Sequence, residues 1–124
     1  MQHDFYFDGN ARKISWKIKT KNSTVEQSRI HADLYYDKVT DLQSKYIALH
    51  VGLFWGIGIF IIKDEDKITV NIDNQIIYEH LKIDKKINDE FIEKRTQFIK
   101  QLILQRKLKM DFELISNKEN NILK

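Results

Sequence analysis

At 124 residues, with 42% hydrophobic and 31% charged side chains, the chain is long enough to bury one core and polar enough to keep a solvated surface. Cysteine and proline are both absent and glycine occurs four times, which excludes disulfides, thiolate metal centres and loop-rich or collagen-like architectures. A net charge of +3 permits a polyanionic partner without requiring one.

The sequence opens without a basic stretch followed by an apolar one, so no cleavable leader is expected and the cytoplasm is the expected compartment. A strand is expected over residues 4–8, closed by the turn-forming Asp8-Gly9-Asn10. A second is expected over 12–19, where Ile14, Trp16 and Ile18 alternate with Lys13, Ser15, Lys17 and Lys19. After a polar turn over 21–24, a third is placed from Arg29 to Tyr36, with Ile30, Ala32, Leu34 and Tyr36 on one face. Three strands joined by short turns imply an antiparallel meander.

Thr40 or Asp41 then caps a helix whose Tyr46, Leu49, Leu53 and Ile57 share a face and which weakens at Gly56 and Gly58. Residues 59–62 are its last turn or a separate extended piece. The run from Tyr46 to Ile62 is 17 residues without formal charge, at the short edge of what crosses a bilayer. His50 and three glycines interrupt it, so a buried core helix is expected and no membrane association. Lys63 to Asp66 reads as a charged surface loop. A fourth strand is placed over 67–72 and a short helix over 74–81.

The clearest helix covers 88–107: Phe91, Phe98 and Leu102 form a stripe, Asp89, Glu90 and Glu93 sit early, and Arg106 and Lys107 sit late, as the helix dipole favours. A last strand runs from Met110 to Ile115, and a polar tail completes one domain over residues 1–124. The order is β-β-β-α-β-α-α-β.

Two carboxylates stand at strand ends, Asp8 after the first and Asp73 after the fourth. Acids on adjacent strand ends can share a divalent cation; equally, Asp8 suits a turn and Asp73 a helix N-cap. His3, His31, His50 and His80 are far apart in sequence with no i, i+4 pair, which argues against zinc. Lys13, Lys17 and Lys19 on one strand, and Lys94, Arg95, Lys100 and Arg106 on the long helix, form basic faces able to meet phosphates or simply water.

Several motifs, in order along nearly the whole chain, resemble the ribonuclease H family, particularly its compact archaeal and bacterial form. Phe7-Asp8-Gly9 resembles the Asp-Gly pair that ends the family's first strand. Tyr46, Ala48-Leu49 and Gly52-Leu53 match the Tyr, Ala-Leu and Gly-Leu of its first helix. Asp73-Asn74-Gln75 matches two of three residues of its Asp-Ser-Gln, and Lys118 and Asn120 fit the basic residue and Asn beyond its last strand.

The resemblance implies an α/β fold with a mixed five-stranded sheet, three antiparallel strands followed by parallel additions, flanked by helices. It implies hydrolysis of the RNA strand of an RNA–DNA hybrid, assisted by Mg²⁺ or Mn²⁺ held by Asp8 and Asp73 as catalytic residues, with nucleic-acid contacts from Asn10, Arg12, Lys13, Asn74 and Lys118. The departures carry as much weight. Lys45 falls where the family's catalytic Glu sits, Lys124 falls where its last Asp sits, and its glycine-rich turn is cut to Asn10-Ala11-Arg12. An ammonium there would pair with Asp8 or Asp73 in place of the cation, so weak metal binding and weak or lost hydrolysis are expected. Two alternatives stay open: an active hybrid-cleaving enzyme with another carboxylate (Glu26, Asp33 or Asp37) in the ligand set, and a non-catalytic interaction module, monomeric or dimeric through Phe54 and Trp55.

Overall fold

The computed structural model describes residues 1–123; Lys124, the position expected to replace the last Asp, lies outside the described residues. The elements are β1 (Gln2–Gly9), β2 (Lys13–Thr20), β3 (Ser23–Ile30), α1 (Asp41–Gly58), β4 (Lys67–Ile72), α2 (Gln75–Ile83), α3 (Glu90–Arg106) and β5 (Lys109–Leu114). They build one sheet in the order β3-β2-β1-β4-β5. The first three strands pair antiparallel, while β4 runs parallel to β1 and β5 parallel to β4, so the expected element order and mixed sheet are both present.

Alternation drives one face of this sheet inward. Phe5 and Phe7 of β1 and Ile14, Trp16 and Ile18 of β2 are buried, and Ile68, Val70 and Ile72 of β4 join them. Onto them α1 lays Tyr46, Leu49 and Leu53, and α3 adds Ile92, Ile99 and Leu102. Gly52 allows the approach: a Cβ there would lie 2.6 Å from Phe5 and 2.8 Å from Trp16. The start of α1 is set by a capping box, in which Thr40 accepts from the Gln43 amide while Gln43 accepts from the Thr40 amide, each at 3.0 Å. No helix among the described residues is long and apolar enough to cross a membrane.

Three local expectations need correction. The third strand lies at Ser23–Ile30, not 29–36. As an edge strand it is exposed along nearly its whole length, so no alternation marks it; Ile30 is its last residue, Ala32, Leu34 and Tyr36 fall in the loop and turn beyond it, and Ile30 and Leu34 are above 70% exposed. Residues 59–62 form turns beyond α1 rather than an extended piece. Asp66, expected on a surface loop, is buried: it accepts from the Lys63 amide and pairs with the equally buried His3 at 2.8 Å.

Candidate active site at the ends of β1 and β4

The parallel register of β1 on β4 pairs Tyr6 with Asn71. Carried two residues further, that register sets Asp8 beside Asp73, where both strands end. Lys45, in the second turn of α1, points into the gap. Its Nζ donates to Asp8 Oδ1 and also lies 3.5 Å from Asp73 Oδ1. The side chains of Lys45, Asp8 and Asp73 keep only 16%, 16% and 7% of their exposure. The three positions singled out in the sequence therefore converge.

The neighbours explain why Lys45 is held there. Gly9, at the end of β1, packs directly on α1, so a Cβ on Gly9 would come within 2.7 Å of the Ser44 carbonyl carbon. Ser44 Oγ bonds His31 Nε2 at 2.7 Å, and the same ring nitrogen lies 3.1 Å from the Asn10 carbonyl. This clamp ties the β1–β2 turn to the residue before Lys45; burial lowers the His31 pKa, which keeps its ring neutral. On the other side Asn120 Nδ2 donates to Asp73 Oδ2 at 2.9 Å and to the Phe7 carbonyl at 2.8 Å. The Gly9 amide donates to Asp8 Oδ1 at 2.8 Å. Asn120 was legible as a motif match, but its bond to Asp73 was not. The Ser44–His31 bond had no sequence signal.

The residues expected to meet nucleic acid are distributed as follows. The Asn10 side chain turns inward and accepts from the Arg12 and Lys13 amides. Exposed Arg12 pairs with Asp37 at 3.2 Å, and that hydrogen bond, reinforced by the charge, raises its pKa further. Lys13 opens β2, half-buried, beside this turn. Asn74 caps α2, accepting from the Ile77 amide at 3.0 Å. Lys118 is exposed in the turn that leads to Asn120. The substitute carboxylates do not assemble: Asp37 is engaged by Arg12, and no group of three or more His, Asp or Glu side chains lies together among the described residues.

Each histidine has its own partner. His3 bonds Asp66 and Thr20, His31 bonds Ser44, His50 accepts from Arg95, and His80 lies 2.6 Å from the Tyr46 hydroxyl. Burial raises the Tyr46 phenol and lowers His80, so at neutral pH a phenol O–H donates to a neutral ring.

The architecture is that of a mixed five-stranded α/β sheet with Asp8, Lys45 and Asp73 gathered where parallel β1 and β4 terminate. No family model and no curated protein matches the sequence. Solved structures do. RNase H1 from the halophilic archaeon Halobacterium salinarum matches with a TM-score of 0.81 at 18% identity, over 98% of this chain and 91% of its own. LC11 RNase H1, isolated from compost by a metagenomic approach and solved in complex with RNA/DNA hybrid, gives 0.76 at 18% identity, over 96% and 88%. The N-terminal RNase H domain of a Mycobacterium tuberculosis protein gives 0.75 at 15%, over 96% and 85%. The chain has the ribonuclease H fold.

As a donor set for a hard divalent ion, the residues present do not fit. Such an ion needs several oxygen ligands, and two-metal hydrolysis needs carboxylates that bridge or flank the pair. Here the facing oxygens of Asp8 and Asp73 both address an ammonium.

Proposed function

We propose that residues 1–124 form one ribonuclease H-like domain that binds RNA–DNA hybrid, or a duplex of similar shape, and hydrolyses it weakly or not at all. The observation that carries this reading is the Lys45 ammonium between Asp8 and Asp73. At 3.5 Å and an effective dielectric of ~20, the attraction to one carboxylate is about 5 kcal/mol before desolvation. A divalent cation entering this gap must displace that amine or sit beside it, and either cost weakens Mg²⁺ or Mn²⁺ binding.

Binding of nucleic acid does not need the metal. Phosphates require cations and amide donors, which Arg12, Lys13, Lys118 and the N-terminus of α2 beside Asn74 supply around the same end of the sheet. The hybrid-bound LC11 enzyme shares this fold over most of the chain, which supports a hybrid as the ligand. A cytoplasmic, membrane-free setting and a monomeric or homodimeric state belong to the same reading.

A labelled hybrid incubated with the protein in Mg²⁺ or Mn²⁺ tests it. Salt-dependent binding without cleavage is expected. Robust cleavage that disappears in Asp73→Asn would show a working catalyst, and no binding even at low salt would remove the nucleic-acid assignment.

A further inference from the structure

A second surface of different chemistry lies along the C-terminal half of α1 and the turn after it, from His50 to Phe60. Phe54 is nine residues beyond Lys45, about 13 Å along the helix axis. Three contiguous depressions of about 380, 270 and 400 Å³ follow the groove between α1 and α3, sharing His50, Arg95 and Phe54 where they meet. The rings along it are bare: Phe54 is 65% exposed, Phe98 49% and Phe60 79%. His50 and Phe98 stack with their planes 7° apart and centroids 6.1 Å apart.

Cations interleave with these rings. The Arg95 guanidinium sits 5.4 Å from the Phe91 centroid and 5.8 Å from that of Tyr35. It donates to Tyr35 Oη at 3.0 Å and His50 Nδ1 at 3.1 Å, which leaves donors of its five-proton fork unused. Burial and Arg95 together lower the His50 pKa, consistent with a neutral acceptor. Among the described residues no carboxylate lies within 4.0 Å of Arg95 or Lys94. At the far end Lys63 and Arg106 line the groove with one acid, Asp64, which is 3.6 Å from Arg106. The groove thus carries excess positive charge and several exposed aromatic faces.

We propose that this groove is a binding track for single-stranded nucleic acid, with bases stacking on Phe98, Phe54 and Phe60 and phosphates meeting Arg95 and Lys94. The alternation of π-faces with unneutralised cations selects that ligand: stacking platforms need unpaired bases, which a duplex hides, and cations follow the backbone. A docking peptide helix would instead favour an unbroken apolar stripe. The site is separate from the Asp8–Lys45–Asp73 end and does not depend on hybrid binding there.

Fluorescence anisotropy of the full chain with an oligothymidylate of about 15 nucleotides tests the assignment. Phe54→Ala/Phe98→Ala removes exposed rings and is expected to weaken single-strand binding about ten-fold or more, with the native circular dichroism spectrum and hybrid affinity retained. Lys94→Gln is expected to reduce the salt slope of single-strand binding by about 0.7. The proposal is overturned if wild-type protein fails to bind the oligomer at low salt, if binding ignores these substitutions, or if hybrid and single strand weaken together. Tighter, equally ring-dependent binding of a Glu/Tyr copolymer would also overturn it, by assigning the groove to an acidic protein. If the wild type binds oligothymidylate here but no hybrid, the duplex reading falls and this one stands.

Discussion

Replacing Lys45 with Met removes the one cation that, among the described residues, pairs with Asp8 and Asp73, while keeping an aliphatic stem of similar length. Breaking a buried pair by deleting one partner costs about 3–5 kcal/mol, because the surviving charge stays desolvated. Here two carboxylates survive, facing each other. Asp73 retains only 7% of its side-chain exposure, while the Gly9 amide still serves Asp8 and the Asn120 amide still serves Asp73. A cost near the low end, about 3 kcal/mol, is therefore expected at pH 7, lowering Tm by on the order of 10 °C for a domain of this size. Urea denaturation of wild type and Lys45→Met at pH 7 measures it. Equal stability of the two would mean that the amine is solvated and not part of a charge cluster.

Three further outcomes follow from the packing. In Asp66, burial alone would raise the carboxyl, but hydrogen bonds from the Lys63 amide, His3 and the N-terminal ammonium outweigh it and hold the pKa below its ordinary value. Its stabilisation is complete above the ordinary carboxylate range and is lost as pH falls through the lowered folded value, so Asp66→Asn should flatten the acid limb of a stability–pH curve. Gly52→Ala forces a methyl against Phe5 and Trp16 and is expected to cost about 1–3 kcal/mol or more, read from chemical denaturation. Asn120→Ala strips Asp73 and the Phe7 carbonyl of a shared donor and should cost about 1–3 kcal/mol, with faster amide exchange in the tail than elsewhere.

Strands with one buried face were readable because burial imposes a period of two: β1 and β2 announce themselves through Phe5, Phe7, Ile14, Trp16 and Ile18. The edge strand β3 had no such constraint, and the alternation just after it was a coincidence of turn residues. The convergence of Asp8, Lys45 and Asp73 was accessible because the two acids stand at strand ends and Lys45 falls where the resembled family carries its Glu. The supports of that site were not: Asn120 finds Asp73 across 47 residues and His31 finds Ser44 across 13; elsewhere in the fold, His3 finds Asp66 across 63 and Tyr46 finds His80 across 34. Hydrogen bonds between such distant side chains leave no periodicity and no spacing rule behind. The aromatic and cationic groove was hidden similarly, since Phe54 and Arg95 come from different helices and read, one at a time, as ordinary surface residues.

Whether Lys45 stands in for a metal is tested most directly by thermal unfolding of wild type and Lys45→Glu across a Mn²⁺ titration. Restoring a third carboxylate should create a site whose occupancy stabilises the variant by about 2.7 kcal/mol once Mn²⁺ reaches a hundred times its Kd. The wild-type Tm is expected to stay flat while that of the variant climbs by several degrees. A wild-type Tm that climbs as far as the variant's would mean that Asp8 and Asp73 hold the ion with the amine present, and the degenerate-site reading would be wrong.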